Sequence, residues 1–151
     1  MHMIFKEIGR VRSKLKDAVD ENWGEIESEI ILSDEYAPGL MGLEGFTHII
    51  VVFHMHKADY NKNLHLVRHP QERTNLPKLG IFAQRAKHRP NPIGITAVEL
   101  VVVNGNNVKV RGLDAIDGTP VLDIKPYFPV FDSRPDASIP GWVEEIMRPY
   151  F

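Results

Sequence analysis

The sequence predicts an all-β domain that is mainly antiparallel, either a barrel or a sandwich, with a few short helices. About seven runs are rich in β-branched and aromatic residues and have the length of strands. One Asn-Gly pair and one Asp-Gly pair separate the last three of these runs, as such pairs do in hairpins. Helical periodicity is scarce, and no strand is followed by a G-x-G-x-x-G turn, which argues against a Rossmann fold.

The predicted strands are distributed along the whole chain. Two alternating runs come first, HMIFKEIGRVR and GEIESEIIL, and the second places Ile26, Ser28 and Ile30 on one face and three glutamates on the other. FTHIIVVF (46–53) is continuous enough in apolar character for a strand that is buried on both faces. The remaining strand candidates are GIFAQ (80–84), IGITAVELVVV (93–103), VKVRGL and PVLDI.

Turn signals separate the later strands. Asn104-Gly105 lies between two β-branched runs and predicts a tight hairpin. Asp117-Gly118 predicts a second turn before PVLDI. Residues 59–79 form a long polar connection, and such a connection in a compact domain is usually functional or mobile.

Helix candidates are few and short. SDEYAPGLMGL can form only a turn or two, because Pro38 and Gly39 interrupt it. Pro140 precedes GWVEEIM and favours a helix near the end of the chain, since proline is well suited to a first helical turn.

Length and composition indicate one domain, over residues 1–151, because a chain of 151 residues that is 43% apolar can bury one sizeable core. No apolar run reaches the roughly 18 residues of a transmembrane helix, and the beginning has no signal-peptide pattern. The absence of Cys excludes disulfides and sulfur-ligated zinc. We therefore expect a cytoplasmic protein that does not enter the membrane.

Positive charge is concentrated in the middle of the chain. Residues 57–89 contain eight Lys or Arg against two acidic residues, although the whole chain has a net charge of -2. Such an asymmetry favours a local patch for an anion. The alternative is a solvated loop that happens to be basic.

The basic stretch ends in a rigid segment, QRAKHRPNPIG (84–94). On an extended backbone Arg85, Lys87 and Arg89 would share one side, which suits a row of phosphates. Two prolines restrict the backbone around Asn91. We expect a preorganised binding edge, and the alternative is a rigid exit from an edge strand.

Histidines and aspartates offer potential metal ligands. His54 and His56 share a face if the preceding strand continues, and with Asp114, Asp117 and Asp123 they could hold a divalent metal. A metal-dependent phosphohydrolase is therefore one alternative. An aspartate before glycine, as at position 117, also commonly caps a turn through its side chain.

The stretch RGLDAIDGTPVLDIKPY (111–127) has two further interpretations. One of its carboxylates could bind a substrate amine or ribose hydroxyls through charge-assisted hydrogen bonds. Asp123 and Lys125 lie two residues apart, so on a strand they could form an ion pair on one face.

Three stretches together resemble the TsaA-like family, whose characterised members are TrmO-type tRNA methyltransferases. They are GLEGFTHIIVVFHMH (42–56), GIFAQRAKHRPNPIGI (80–95) and LDAIDGTPVLDIKPYFP (113–129). The resemblance implies a small β-barrel unlike the Rossmann methyltransferases, acting as a homodimer with cofactor sites near the subunit boundary. It also implies methyl transfer from S-adenosylmethionine to N6 of threonylcarbamoyl-adenosine at position 37 of tRNA.

The resemblance further implies where cofactor and RNA bind. The candidate cofactor residues, which include His54 because it adjoins Met55, are His54, Met55, His56, Arg85, Ile95, Gly112, Leu113 and Asp114. The candidates for shaping the site or binding the tRNA anticodon loop are Lys87, Arg89, Asn91, Asp117, Asp123, Lys125 and Tyr127. No catalytic residue is assigned, although neutral His54 or a carboxylate could take the N6 proton. Tyr60, Tyr127 and Phe128 could stack on RNA bases, and neither a metal nor DNA is expected to bind.

Two features depart from the family pattern. Bacterial members have a Pro-Arg-Gln-Pro-Gly-like loop that contributes to the cofactor site, whereas this chain reads KLKDAVDENWGE (14–25). Those members also carry an additional C-terminal region, whereas this chain stops at Phe151. Both departures concern the choice of RNA more than methyl transfer, and a partner protein could supply tRNA binding. A non-catalytic RNA-binding module is the last alternative, with salt-dependent binding through the basic edge.

Overall fold

The computed structural model describes residues 1–151 and contains a closed antiparallel barrel and a small second sheet. The barrel strands are β1 (Gly9–Arg12), β2 (Glu27–Leu32), β3 (His48–His54), β6 (Ile93–Asn104), β7 (Asn107–Arg111) and β8 (Pro120–Pro126), in the order β1-β2-β7-β6-β3-β8. Strands β4 (Val67–Arg68) and β5 (Leu79–Gly80) form the second sheet. The barrel confirms the predicted fold class and decides between barrel and sandwich.

The helical elements are short. The α-helices are α1 (Lys62–His65), α2 (Pro129–Asp132) and α3 (Gly141–Met147), and 3₁₀ turns cover Trp23–Glu25, Asp34–Leu40, Leu43–Gly45, Pro70–Glu72 and Ile81–Ala83. Helix α3 begins directly after Pro140, as predicted. None of the helices has the length and apolar character needed to span a bilayer.

Alternation along the strands fills the barrel interior. In β3 the side chains of Ile49, Val51 and Phe53 are buried, while Ile50 and Val52 on the outer face are only partly covered. The predicted burial of this strand on both faces is therefore wrong, because a barrel has a single interior. The predicted alternation of β2 is confirmed across its six residues.

A single apolar cluster fills the barrel. Its buried members come from all six barrel strands, from the 3₁₀ turn Asp34–Leu40 and from the segment that follows β7. Burial of such side chains is the main favourable contribution to folding. They are Val11, Ile30, Leu32, Leu40, Ile49, Val51, Phe53, Val98, Val108, Val110, Leu113, Ala115 and Val121.

The hairpin prediction is confirmed and one strand prediction is wrong. Strands β6 and β7 are joined at Gly105, whose φ of 62° lies in the left-handed region that favours glycine. In GIFAQ only the first residue belongs to a strand. The rest turns back because Gln84 closes a 3₁₀ turn onto Ile81, and its side chain donates to the carbonyls of Arg68 and Leu79 at 3.0 Å each.

Candidate functional site

The candidate cofactor residues lie around the place where β6 and β7 separate. The β6–β7 ladder ends at Arg111, so Ile93–Val98 pair only with β3. Beyond Arg111 the chain turns at Gly112, whose φ of 95° favours glycine and whose N–H donates to the Ile26 carbonyl at 2.9 Å. The chain then brings Asp114 against the unpaired edge of β6.

Both carboxylate oxygens of Asp114 accept hydrogen bonds from neutral hydroxyls. Thr96 on β6 donates to Oδ1, and Tyr150 near the end of the chain donates to Oδ2. Burial raises the pKa of Tyr150 far above its ordinary value, and the charge and hydrogen bond of Asp114 raise it further. Tyr150 therefore remains a donor at neutral pH, and the carboxylate keeps lone pairs for a ligand.

Arg85 lies beside the same edge. One guanidinium nitrogen, Nη2, donates to the Ile95 carbonyl at 2.8 Å. Burial and Asp114 raise the pKa of Tyr150, and the positive charge of Arg85 opposes them, as expected for a guanidinium near the phenol. The other guanidinium N–H groups are available to an anionic group, and Ile95 beside them is 54% exposed.

The backbone next to Asp114 has free hydrogen-bonding capacity. The N–H groups of residues 113–116 make no hydrogen bond within the chain, although Leu113 and Ala115 are buried. Buried amides are nearly always paired, so this stretch can serve a ligand through its main chain. Because the Leu113 side chain is wholly inside the barrel core, only its backbone can do so.

The end of β3 approaches the site from the other side of β6. His54 pairs with Ile93 in the β3–β6 ladder, and the Met55 N–H donates to the Pro92 carbonyl at 2.8 Å. Partial burial lowers the pKa of His56, and the charges of Lys57, His54 and Arg10 lower it further. The structure therefore places His54, Met55 and His56 beside the rigid segment that leads into β6.

Residues 14–25, where the family's Pro-Arg-Gln-type loop is absent, also reach the site. The Lys16 carbonyl accepts from Lys57 Nζ at 3.3 Å. The N–H groups of Asn22 and Trp23 donate to the carbonyls of Pro149 and Tyr150, at 2.7 Å each. The loop thus connects the end of β3 with the end of the chain.

Sequence reasoning missed Thr96, Tyr150 and this loop contact. Thr96 alternates with Val98 in a β-branched run, and a polar residue on the same face as an apolar one was a usable signal. In the structure it is buried. Nothing in the local sequence distinguishes Tyr150 from an ordinary terminal tyrosine.

The other two aspartates are engaged elsewhere. Asp117 accepts from the Ser13 N–H at 2.9 Å and from Lys16 Nζ at 2.6 Å. Its side chain therefore holds the 13–16 segment against the turn, and the prediction that it caps its own turn is wrong. Asp123 and Lys125 form the expected ion pair at 2.9 Å on the exposed side of β8. No group of three or more His, Asp or Glu residues could hold a metal. The ligand set of the phosphohydrolase alternative is therefore not assembled, which corrects that hypothesis.

The rigid basic segment is not the extended row that the sequence predicts. Residues 87–91 bend, and Arg89 Nη1 donates back to the carbonyls of Gln84 at 2.9 Å and Ala86 at 3.1 Å. The Asn91 carbonyl likewise accepts from the Ile93 N–H at 2.7 Å. These bonds replace the strand partners that an extended segment would need, and Lys87 remains without a hydrogen bond or ion pair.

His88 ties this segment to the long connection. Its Nδ1 accepts from the Asp59 N–H at 3.0 Å, and its ring stacks on His65 with centroids 4.6 Å apart. Burial lowers the pKa of His88, and the charges of His65, Lys87 and Arg68 lower it further while Asp59 opposes them. The neutral form with an accepting Nδ1 is the one that this geometry favours.

Tyr127 lies at the other end of the barrel. Its N–H donates to the His48 carbonyl at 3.1 Å, at the beginning of β3. His54 is at the far end of that strand, about 20 Å away at the rise of an extended chain. Within one chain the structure therefore does not bring Tyr127 together with the cofactor candidates.

A cleft of about 380 Å³ opens at this second end. Ile8, Tyr36 and Phe46 are among its mainly apolar lining residues, and Asp123 is its single charged one. It contains none of the candidate cofactor residues.

Comparisons with known proteins agree with this picture. Residues 19–133 match the family model described as the tRNA-methyltransferase O N-terminal domain. A crystal structure of TrmO from Pseudomonas aeruginosa is similar with a TM-score of 0.76 and 30% identity, over 94% of this chain and 62% of that one.

Curated relatives have related names. The chain is 45% identical to an S-adenosyl-L-methionine-binding protein of Archaeoglobus fulgidus, over 86% of this chain and 93% of the relative. It is 40% identical to a tRNA (adenine(37)-N6)-methyltransferase of Escherichia coli, over 89% of this chain and 61% of the relative. The chain thus spans less than two thirds of the bacterial methyltransferase and of the solved structure.

Proposed function

The chain belongs to the family of the tRNA-methyltransferase O N-terminal domain, and from that premise we propose that it methylates tRNA with S-adenosylmethionine as donor. The acceptor is N6 of an adenosine, in keeping with the name of the Escherichia coli relative. The observation that carries the proposal is the convergence of Arg85, Thr96, Asp114 and Tyr150 at the unpaired edge of β6. Residues 1–151 act as one methyltransferase domain.

The residues at this edge fit the chemistry of the donor. S-adenosylmethionine presents an ammonium group and ribose hydroxyls, and an oriented carboxylate such as Asp114 can accept hydrogen bonds from them. It also presents a carboxylate, for which Arg85 has free donors, and an adenine ring, which can lie on apolar side chains such as Ile95. Free amides of residues 113–116 supply further polar contacts. The proposed cofactor residues are His54, Met55, His56, Arg85, Ile95, Gly112, Leu113 and Asp114.

The protein's part in the reaction is mainly positioning. When bound, S-adenosylmethionine supplies an activated methyl group on a sulfonium centre. The chain must hold the acceptor nitrogen in line with that group, which is the main source of rate in such displacements. His54, at the end of β3, is the proposed acceptor of the N6 proton, because it adjoins the proposed cofactor residues Met55 and His56.

The RNA is proposed to lie along the basic stretch 57–89. Lys87 supports this role because its ammonium group is not used within the chain, whereas Arg89 shapes the segment through the backbone. Asn91 helps to shape the same segment. Asp117 has a structural role in the neighbouring turn. The proposed substrate is the anticodon loop with threonylcarbamoyl-adenosine at position 37.

A homodimer is part of this proposal. Ile93 and Ile95 on the outer face of β6 are 40% and 54% exposed, and a second subunit would cover them. A dimer would also bring in Tyr127, an RNA-contact candidate that lies at the other end of the barrel within one chain. Asp123 and Lys125 on β8 are further proposed RNA contacts, separated from β6 by β3. We place the enzyme in the cytoplasm, where its tRNA substrate is found.

Calorimetry and methyl transfer test the proposal in two steps. The folded protein should release or absorb heat on titration with S-adenosylmethionine, and silence at millimolar ligand would refute the cofactor assignment. It should then methylate tRNA that carries the threonylcarbamoyl group and not the same tRNA without it. Methylation of a different RNA would refute the substrate, and salt-dependent RNA binding without methylation would favour the RNA-binding module.

Lys87→Ala tests the RNA surface. We expect tRNA affinity to fall about threefold and the slope of its salt dependence to drop by about one, because one phosphate contact is lost. Lys6→Ala is the matched control, since Lys6 is exposed ahead of β1 and outside the basic stretch. Equal losses in both variants would mean that RNA binding depends on net charge alone.

A further inference from the structure

We propose that Tyr150 is a positioning residue of the cofactor site, holding the Asp114 carboxylate in its binding orientation. This inference rests on the proposed function and extends it to a residue outside the 19–133 segment that matches the family. Tyr150 acts through Asp114 and is not a catalytic residue.

The Asp114 carboxylate is held by two donors, one before it and one after it in the sequence. Thr96 lies 18 residues before Asp114 and Tyr150 lies 36 residues after it. With one hydroxyl on each oxygen, rotation about the Asp114 side-chain bonds would break at least one bond. The ligand therefore meets a carboxylate whose orientational freedom has already been removed, which favours binding.

The tail that carries Tyr150, residues 148–151, is held to the rest of the fold by backbone hydrogen bonds. The Pro149 and Tyr150 carbonyls accept from Asn22 and Trp23 at 2.7 Å each, and the Tyr150 N–H donates to the Met147 carbonyl at 3.0 Å at the end of α3. Trp23 beneath the tail is 1% exposed. These bonds hold the phenol against Asp114 rather than leaving it on a free end.

The helix before the tail is also held in place. Glu145 of α3 accepts from Arg73 at 2.7 Å, which ties α3 to the part of the chain between β3 and β6, residues 55–92. The same part of the chain carries Arg85, whose charge acts on the Tyr150 phenol. The tail and the arginine side of the site are therefore parts of one assembly.

Tyr150→Phe tests the proposal because it removes the hydroxyl and keeps the ring. We expect the Kd for S-adenosylmethionine to rise about tenfold, the lower end of the range for a hydrogen bond to a charged group. Tyr36→Phe is the matched control, since Tyr36 lines the cleft at the other end of the barrel. An unchanged Kd in Tyr150→Phe would overturn the proposal.

A double variant tests whether Tyr150 acts through Asp114. In an Asp114→Asn background the tyrosine substitution should add less than about twofold, because the group that it positions has lost its charge. An undiminished tenfold effect in that background would overturn the positioning role and assign Tyr150 a contact of its own.

A third measurement does not depend on the cofactor. Three-bond NMR couplings of the Asp114 side chain should report one χ1 rotamer in the wild type and averaging in Tyr150→Phe. A single rotamer in both proteins would overturn the proposal even if S-adenosylmethionine binds. Averaging in the variant, with no cofactor binding by the wild type, would uphold the positioning contact and refute the proposed function.

Discussion

Asp114 and Asp117 lie three residues apart in the same segment, and the structure uses them in opposite ways. Asp114 accepts from two neutral hydroxyls, those of Thr96 and Tyr150, at an edge where β6 has no partner. Asp117 accepts from a backbone N–H and from the ammonium group of Lys16. Lys16 compensates the charge of Asp117 within the chain. The partners of Asp114 are neutral, so they orient its carboxylate without compensating the charge.

This difference shows that the partners of a carboxylate indicate its role better than its position in a motif. An ion pair with Lys16 leaves Asp117 little to offer a cationic ligand, and its backbone bond fastens the 13–16 loop to the turn. Two neutral donors leave the negative charge of Asp114 available. Four predictions test this contrast, beginning with the largest expected effect.

Asp114→Asn should weaken S-adenosylmethionine binding at least about 100-fold, because it removes the charge from a charge-assisted hydrogen bond. Asparagine keeps the shape, and the hydroxyls of Thr96 and Tyr150 can rotate to pair with it. Calorimetric titration gives the affinity.

Asp117→Asn is the control for that experiment. It should change the affinity less than about twofold, the range expected for a site whose charge is already compensated. Comparable losses of binding in the two variants would remove the distinction between the two aspartates.

Thr96→Val should raise the Kd for S-adenosylmethionine about tenfold, because one of the two donors to Asp114 is lost. Valine fits the strand, so the barrel should remain folded with a stability loss of about 1 kcal/mol from the unpaired oxygen. Chemical denaturation measures the stability and calorimetry the affinity. An unchanged affinity would show that Tyr150 alone orients the carboxylate.

The stability that Asp117 contributes should disappear in acid. Lys16 and the Ser13 N–H hold the pKa of folded Asp117 below its ordinary value of 3.8. The ionised form therefore favours folding above pH 3.8, and this contribution is lost as the pH falls through the lowered value. The difference in Tm between wild type and Asp117→Asn should shrink over that interval. A difference that is constant with pH would contradict the ion pair.

Lys16→Ala should have the smallest effect. Lys16 is 69% exposed at its side chain, so its pair with Asp117 is screened by water. The Tm should fall less than in Asp117→Asn, because the bond from the Ser13 N–H remains, and cofactor affinity should stay within about twofold. A larger loss than in Asp117→Asn would mean that the Lys16 side chain has a role beyond this ion pair.

Local patterns accounted for most of the barrel and for part of the site. Alternation in β2 and the Asn104-Gly105 turn were readable because each depends on a few neighbouring residues. The row of Arg85, Lys87 and Arg89 failed for the opposite reason. No strand pairs with this segment. The Arg89 side chain therefore donates to the carbonyls of Gln84 and Ala86 in the same segment, and the backbone bends.

By itself the sequence determined the six barrel strands, the Asn104-Gly105 turn and the family, since period-two alternation, turn glycines and conspicuous motifs act over short stretches of chain. Only the tertiary structure decided which aspartate keeps its charge available. The hydrogen-bond partners of Asp114 lie 18 and 36 residues away in the sequence. Those of Asp117 lie 104 and 101 residues away. Hydrogen bonds over such separations exist only once the barrel has closed and the tail has packed against Trp23, so no local pattern encodes them.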